Sequence, residues 1–257
     1  MKVTVIGANG FLGSAFVRFL RTQNVELVEV TPLNYIYHYE KPSDVVIHAS
    51  GNSKKPLANE NPAQGFASMV ERCFTTLLHF PAKFHIHLSS VDVYRFLDSR
   101  ETTKEHLCGD WNGISHYGAF KLLEENLVKH FSKHCLILRL AGMVGVGLTK
   151  NPVFDILNRS PLYVHPESRY HFMNTDDVAK IAWKLFSDGV EGVMNLTGDG
   201  TISPLEIATL AGVSLTNQLN EYEDRNLDIN LEKIKQFVTV PSTFNSIQNF
   251  ILDWKNK

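Results

Sequence analysis

The chain has 257 residues, 44% hydrophobic, 11% aromatic and 20% charged, a composition that fills a sizeable core and excludes intrinsic disorder or a collagen-like repeat. With 25 basic against 27 acidic residues the formal charge is -2, so no basic stripe marks a nucleic-acid or anionic-membrane partner. An odd cysteine count of 3 makes no disulfide framework and points to a reducing compartment.

The most apolar window, Cys135 to Leu148, is interrupted by Arg139 and falls short of the roughly 20 apolar residues that span a bilayer. Glycines from position 7 interrupt the stretch where a signal peptide needs an unbroken apolar run. The sequence therefore predicts a cytoplasmic protein of one domain, or one domain with a small lobe.

In chain order, Val3 to Ile6 predicts a first strand, and apolar pairs Phe11/Leu12, Ala15/Phe16 and Phe19/Leu20 predict the helix behind it. Further strands are predicted at Glu26 to Val30, Asp44 to Ala49, His85 to Ser89, Leu136 to Leu140 and Val193 to Leu196. Helical patterns at Gly65 to His79, Tyr117 to Phe131 and Asp176 to Phe186 alternate with them. Such alternation predicts an α/β fold of Rossmann type, a doubly wound parallel sheet. Helices predicted at Asn151 to Val164, Ser203 to Ala211 and Ser242 to Trp254 make a small, mostly helical substrate lobe. The predicted division is 1–150 plus 165–198 for the larger domain and 151–164 plus 199–257 for the lobe.

Gly7-Ala8-Asn9-Gly10-Phe11-Leu12-Gly13 has the spacing GxxGxxG between a strand and a helix. Its glycines suit a tight turn, close approach of backbone to a pyrophosphate, and close helix-on-strand packing, so the segment predicts dinucleotide binding. Where an acid normally closes the second strand and takes the ribose hydroxyls, Thr31 stands instead. Without that carboxylate a 2′-phosphate is not repelled, which favours NADP over NAD. Glu29 is the alternative partner for the hydroxyls, and Lys54 and Lys55 are candidates for a 2′-phosphate.

Tyr117-Gly118-Ala119-Phe120-Lys121 opens a helix and sets phenol and ammonium on one face. An ammonium one turn away stabilises phenolate, so Tyr117 is a candidate proton donor or acceptor for a carbonyl or carbinol oxygen. The strand ending Leu88-Ser89-Ser90 places a serine where ligands of a doubly wound sheet sit. Here the chain resembles the extended short-chain dehydrogenase/reductase family, also called the NAD-dependent epimerase/dehydratase family. The resemblance runs through GxxGxxG, Asp44 to Ala49, Leu88 to Tyr94, Tyr117-xxx-Lys121, Leu138-Arg139-Leu140, Asn174 to Ala179, and Leu227 to Trp254.

It implies catalytic roles for Ser90, which polarises the substrate oxygen, Tyr117, which moves the proton, and Lys121, which holds the nicotinamide ribose and lowers the Tyr117 pKa. Implied cofactor contacts are Gly7, Asn9, Gly10, Phe11, Leu12, Gly13, Thr31, Ala49, Ser50 and Lys121; implied substrate contacts are Ser90, Val91, Asp92 and Gly142. It also implies a homodimer through the Tyr117 helix and the helix before it.

Only 13 residues, Thr31 to Ser43, separate the second strand from the next. That is too few for two parallel crossovers, so the family's usual third strand, at the sheet edge, is expected to be missing; Tyr35 to Tyr39 would form a short helix or extended cover. Val91-Asp92 replaces the acid pair of family dehydratases, Asp92 stands at the cysteine position of epimerase-reductases, and Gly142 and Tyr170 replace residues at the pyrophosphate side of nucleotide-sugar pockets. What remains is keto reduction or epimerisation at C4 of a nucleotide-linked sugar. The alternatives are an NADPH-dependent reductase of another aldehyde or ketone, or a non-catalytic dinucleotide-binding regulator. The histidines, His85, His87, His130 and His134 among them, and the scattered Cys73, Cys108 and Cys135 complete no metal-ligand spacing, so no metal is expected.

Overall fold

Residues 1–51, 55–107, 111–215 and 222–256 are described by the computed structural model; Lys54 and Cys108 lie outside them. Six parallel strands form the main sheet: β1 (Lys2–Ile6), β2 (Glu26–Val30), β3 (Ser43–His48), β4 (Ala82–Ser90), β5 (Cys135–Leu140) and, named ahead of two short strands, β8 (Gly192–Leu196). Their order is β2-β1-β3-β4-β5-β8, so every predicted strand forms. Val45, Val46 and Ile47 are wholly buried, as expected of a strand covered on both faces. The segment after β2 holds a single 3-10 turn, Tyr35–His38, and β2 pairs only with β1. The third strand is absent, and Tyr35 packs against Phe80 with ring centroids 4.9 Å apart, covering the sheet near that edge.

Helix α1 (Phe11–Leu20) starts at Gly10. The stretch predicted as one helix from Gly65 is more broken and begins earlier, as α2 (Lys55–Glu60), α3 (Pro62–Phe66), a π turn Ala67–Glu71 and α4 (Arg72–His79). Pro62 explains the first break: lacking an N–H, it cannot continue α2 but suits the first turn of α3, which Asn61 caps. Helices α5 (His116–Phe131) and α7 (Thr175–Ser187) match expectation.

The helix predicted from Asn151 to Val164 shrinks to α6 (Pro152–Leu157). Arg159 adopts a left-handed φ of 54° and Pro161 follows, which together bar a longer helix. Two three-residue strands, β6 (Gly142–Val144) and β7 (Phe172–Asn174), pair in parallel and were not visible in the sequence pattern. Helix α8 (Pro204–Ala211) opens with the Ser203/Glu206 capping box, and α9 (Thr243–Lys255) closes the chain's secondary structure. A second apolar cluster joins Val144, Ile156, Phe172, Ile207, Ile247 and Phe250, drawn from β6, β7, α6, α8 and α9.

Candidate functional site

The C-terminal ends of β1, β2 and β3 open on a cavity of about 470 Å³, the size of a small-molecule site. Of the predicted cofactor residues, Gly7, Asn9, Gly10, Thr31, Ala49 and Ser50 line it. Gly7 has a φ of +84°, and a Cβ there would lie 2.7 Å from the Ala49 carbonyl oxygen, so only glycine lets the turn pass the end of β3. Gly13 does not face the cavity; a Cβ on it would collide with the Gly7 carbonyl, so it serves helix-on-strand packing. Phe11 and Leu12 pack on the core and, like Lys121, are not among the lining residues.

At the far end Thr31 donates its backbone N–H to Asn34 Oδ1 at 2.7 Å, and Glu29 is tied to Arg21 at 2.7 Å rather than turned into the cavity. Lys55, a candidate for this end, instead pairs with Asp92. The cation that sequence reasoning missed is Arg72, which lines the cavity with its guanidinium 5.0 Å from the Tyr35 ring centroid. Tyr35 is held by the Thr76 hydroxyl at 2.8 Å. No carboxylate stands among the described lining residues. Nothing local marked Arg72, because it sits in an ordinary helical pattern 41 positions beyond Thr31.

Beside this cavity Ser90 and Tyr117 are linked through Asp92 and Lys55, and Lys121 lies one helical turn beyond Tyr117. Ser90 ends β4, and Ser115 caps α5 by accepting the Gly118 N–H at 3.2 Å. Gly118 is required there, since a Cβ would collide with the Asp92 carbonyl. The Ser90 hydroxyl donates to Asp92 Oδ2 at 2.6 Å, and Asp92 also receives Lys55 Nζ at 2.6 Å. Lys55 Nζ lies 5.9 Å from the Tyr117 ring centroid, so a second ammonium faces the phenol. Val91 is buried in the main core. Gly142 has no room for a side chain, for a Cβ would lie 2.6 Å from the His171 carbonyl oxygen and the Phe172 ring; β6–β7 packing explains this glycine.

Lys121 departs from expectation. Its ammonium turns inward, donating to the Leu88 carbonyl at 3.1 Å and to Glu124 Oε2 at 2.7 Å. Burial works against both charges, but each stabilises the other, so the lysine pKa is raised and the Glu124 carboxyl is lowered to about 2. Lys121 does act to lower the Tyr117 pKa, as expected, but the net shift is upward. Burial raises it; Lys121 and Lys55 pull the other way, and Asp92 and Glu124 add to the rise. Tyr117 is therefore held firmly as the neutral phenol.

Glu124 also lies 3.2 Å from His87 Nε2, and His87 Nδ1 lies 3.1 Å from His48 Nδ1. His48 Nε2 is 2.8 Å from the Ser50 hydroxyl. Cys73 Sγ comes within 4.8 Å of both rings; burial raises its pKa, keeping the protonated thiol, a poor metal ligand. Arg139 is fully buried, pairing with Glu125 at 2.7 and 2.9 Å and with the Tyr94 hydroxyl at 2.8 Å, a structural role. No helix among the described residues is long and apolar enough to cross a membrane.

The sequence matches no protein-family model and no curated protein. Among solved structures the chain is similar to a dTDP-4-dehydrorhamnose reductase from Clostridium acetobutylicum, with 21% identity, a TM-score of 0.81 and 100% of each chain covered. It is similar to RMD from Pseudomonas aeruginosa complexed with NADPH, with 18% identity, a TM-score of 0.81 and 99% of each chain covered. UDP-glucuronic acid 4-epimerase from Bacillus cereus, in complex with UDP-glucuronic acid and NAD, has 18% identity and a TM-score of 0.80, covering 100% of this chain and 99% of that one. These likenesses establish the Rossmann-type α/β fold along the whole chain.

Proposed function

We propose that this chain is a nicotinamide-dinucleotide-dependent enzyme of the extended short-chain dehydrogenase/reductase family, acting on a keto or hydroxy carbon of a nucleotide-linked sugar. Its reaction is 4-keto reduction or 4-epimerisation. The observation that carries this is the placing of Ser90 and Tyr117 about Asp92 and Lys55, with Lys121 one helical turn on, beside a glycine-walled cavity where Gly7 and Gly10 leave backbone at the N-terminus of α1 open to a pyrophosphate. The solved structures it resembles include a reductase of a dTDP-sugar and a 4-epimerase of a UDP-sugar. The larger domain, 1–150 plus 165–198, holds the dinucleotide, and 151–164 plus 199–257 cover the substrate.

A bound nicotinamide would supply or take up hydride at its C4. Tyr117 gives its phenolic proton to the substrate oxygen in the reducing direction. The two flanking ammoniums, Lys121 and Lys55, then stabilise the phenolate that forms. Ser90, whose hydroxyl donates to Asp92 Oδ2 at 2.6 Å in this structure, polarises a ketone oxygen by swinging that hydrogen onto it, whereas a carbinol hydroxyl can donate to its lone pairs.

Arg72 supports NADP as the preferred dinucleotide: a guanidinium facing a cavity end that lacks carboxylates suits a phosphomonoester. Calorimetric titration of the purified protein tests this, with micromolar NADP binding and much weaker NAD binding expected. Arg72→Ala should weaken NADP about tenfold and leave NAD within twofold; binding of neither dinucleotide to the wild type would sink the enzyme reading. The closed space at Gly142 favours a second reading, a reductase of a ketone without a nucleotide, which a substrate panel monitored by NADPH oxidation would separate.

The homodimer fits an apolar strip on α3 to α5, where Phe66, Phe74, Leu78 and Phe131 stay 38 to 46% exposed. Sedimentation at micromolar concentration should give a dimer and Phe74→Glu a monomer, whereas a monomeric wild type would remove this assignment. The free Cys73 and Cys135 accord with a cytoplasmic setting.

A further inference from the structure

The four polar groups between Lys121 and the cavity form a chain with a direction. His48 and His87 are register partners on β3 and β4, so their side chains leave the same face of the sheet and meet Glu124 beneath α5. His48 is 4% exposed, His87 1% and Glu124 0%. Lys121 already balances the Glu124 charge at 2.7 Å. A second cation on His87 would then be uncompensated charge in the core, and a ring with a single N–H meets the carboxylate and His48 with one nitrogen each.

The carboxylate decides where that hydrogen sits. His87 Nε2 is 3.2 Å from Glu124 Oε2, and although the bond is not well aimed, a bare lone pair facing an anion at that distance is the worse alternative. His87 is thus the Nε2–H tautomer and its Nδ1 is an acceptor. At 3.1 Å from that acceptor, His48 Nδ1 must carry the hydrogen, which leaves His48 Nε2 bare. The Ser50 hydroxyl, 2.8 Å away, then donates inward. Burial holds His48 neutral, with His87 the next contribution, in keeping with the single hydrogen on each ring.

We infer that Ser50 is a committed hydrogen-bond acceptor at the floor of the cavity, its proton turned inward by Glu124 acting through His87 and His48. Its outward lone pairs receive a ribose hydroxyl of the bound dinucleotide and disfavour a phosphate oxygen. The ligand half rests on the dinucleotide reading above; the tautomer half does not. Glu124, His87 and His48 are positioning residues in this scheme, and Ser50 makes the contact.

Two measurements test it. Long-range proton–nitrogen spectra of nitrogen-15-labelled wild-type protein between about pH 7.5 and about 8.5, where an ordinary imidazole is mostly neutral, should show His87 as Nε2–H and His48 as Nδ1–H. A His48 Nε2–H tautomer, or a doubly protonated His87, reverses the chain and overturns the inference. In the second, NADP and analogues lacking the hydroxyls of one ribose or the other are titrated into wild type and Ser50→Ala.

Ser50→Ala should weaken NADP about tenfold, and one deoxy analogue should bind both proteins equally. An equal loss for every ligand would overturn the acceptor role. If the wild type binds neither NADP nor NAD, the dinucleotide reading fails, and the tautomer spectra still decide whether Ser50 is an acceptor.

Discussion

Tyr117→Phe should lower turnover by about 10²–10⁴, the range for losing a positioned proton donor, with dinucleotide affinity unchanged within a few fold. The reason is geometric: Tyr117 is not among the residues that line the cavity, so removing its hydroxyl leaves the proposed dinucleotide site intact. The ring is 6% exposed, and phenylalanine fills the same space. The assay is NADPH oxidation with 4-keto nucleotide sugars, paired with calorimetry of NADP. Undiminished turnover in the variant would remove Tyr117 as proton donor. Because burial and the neighbouring carboxylates raise the phenol's pKa, the donor form persists through neutral pH and activity should not fall on the alkaline side until well above it.

The second large effect concerns stability. Arg139 is 1% exposed and takes Glu125 through two hydrogen bonds, at 2.9 and 2.7 Å. Glu125→Ala takes the carboxylate from that guanidinium in the core and leaves it neutral partners such as the Tyr94 hydroxyl and the Glu105 carbonyl, at a cost of about 3–5 kcal/mol. For a chain of this size, Tm should drop by about 10 °C. A control, Glu191→Ala, breaks the exposed His134 pair at 2.9 Å and should cost under about 1 kcal/mol. Equal shifts for the two would mean that the buried pair contributes no more than a surface contact.

The same carboxylates set an acid limit. Burial raises the pKa of Glu124 and Glu125, but their partners Lys121 and Arg139 outweigh it and leave both lowered. Each is ionised in the folded state where the unfolded chain begins to take up protons, near pH 4.3. Their contribution is therefore complete above that pH and is lost as pH falls toward the folded value, about 2 for Glu124.

The parts of this molecule that were legible in the sequence are those encoded within one turn or strand. Val3 to Ile6 followed by three spaced glycines, and Tyr117 with Lys121 one helical turn on, need no knowledge of distant residues. The shortness of Thr31 to Ser43 predicted the lost strand because chain length alone limits a crossover. Arg72, the pairing of Lys55 with Asp92 and the His48–His87–Glu124 chain were hidden for the converse reason. They meet through strand register and helix packing across 37 to 41 positions of sequence. Glu124 carried a partial signal, an acid three residues after Lys121 on its helix, which could have warned that the ammonium was already engaged. The pairing of β6 with β7 was illegible because three residues hold too little periodicity to distinguish a strand from a loop.

Losing a strand also moves the boundary of the sheet. With β2 outermost, the sheet ends in a strand edge of the kind another chain's strand can extend, the usual starting point for unwanted polymerisation. Glu26 and Glu29, three apart on β2, place an acid on each face of that edge, since successive strand residues alternate. A second copy laid alongside would bring its own acids beside these, and Arg21, at 2.7 Å, offsets only the Glu29 charge. The shortened chain thus carries its own repulsion at the edge where the missing strand would have stood.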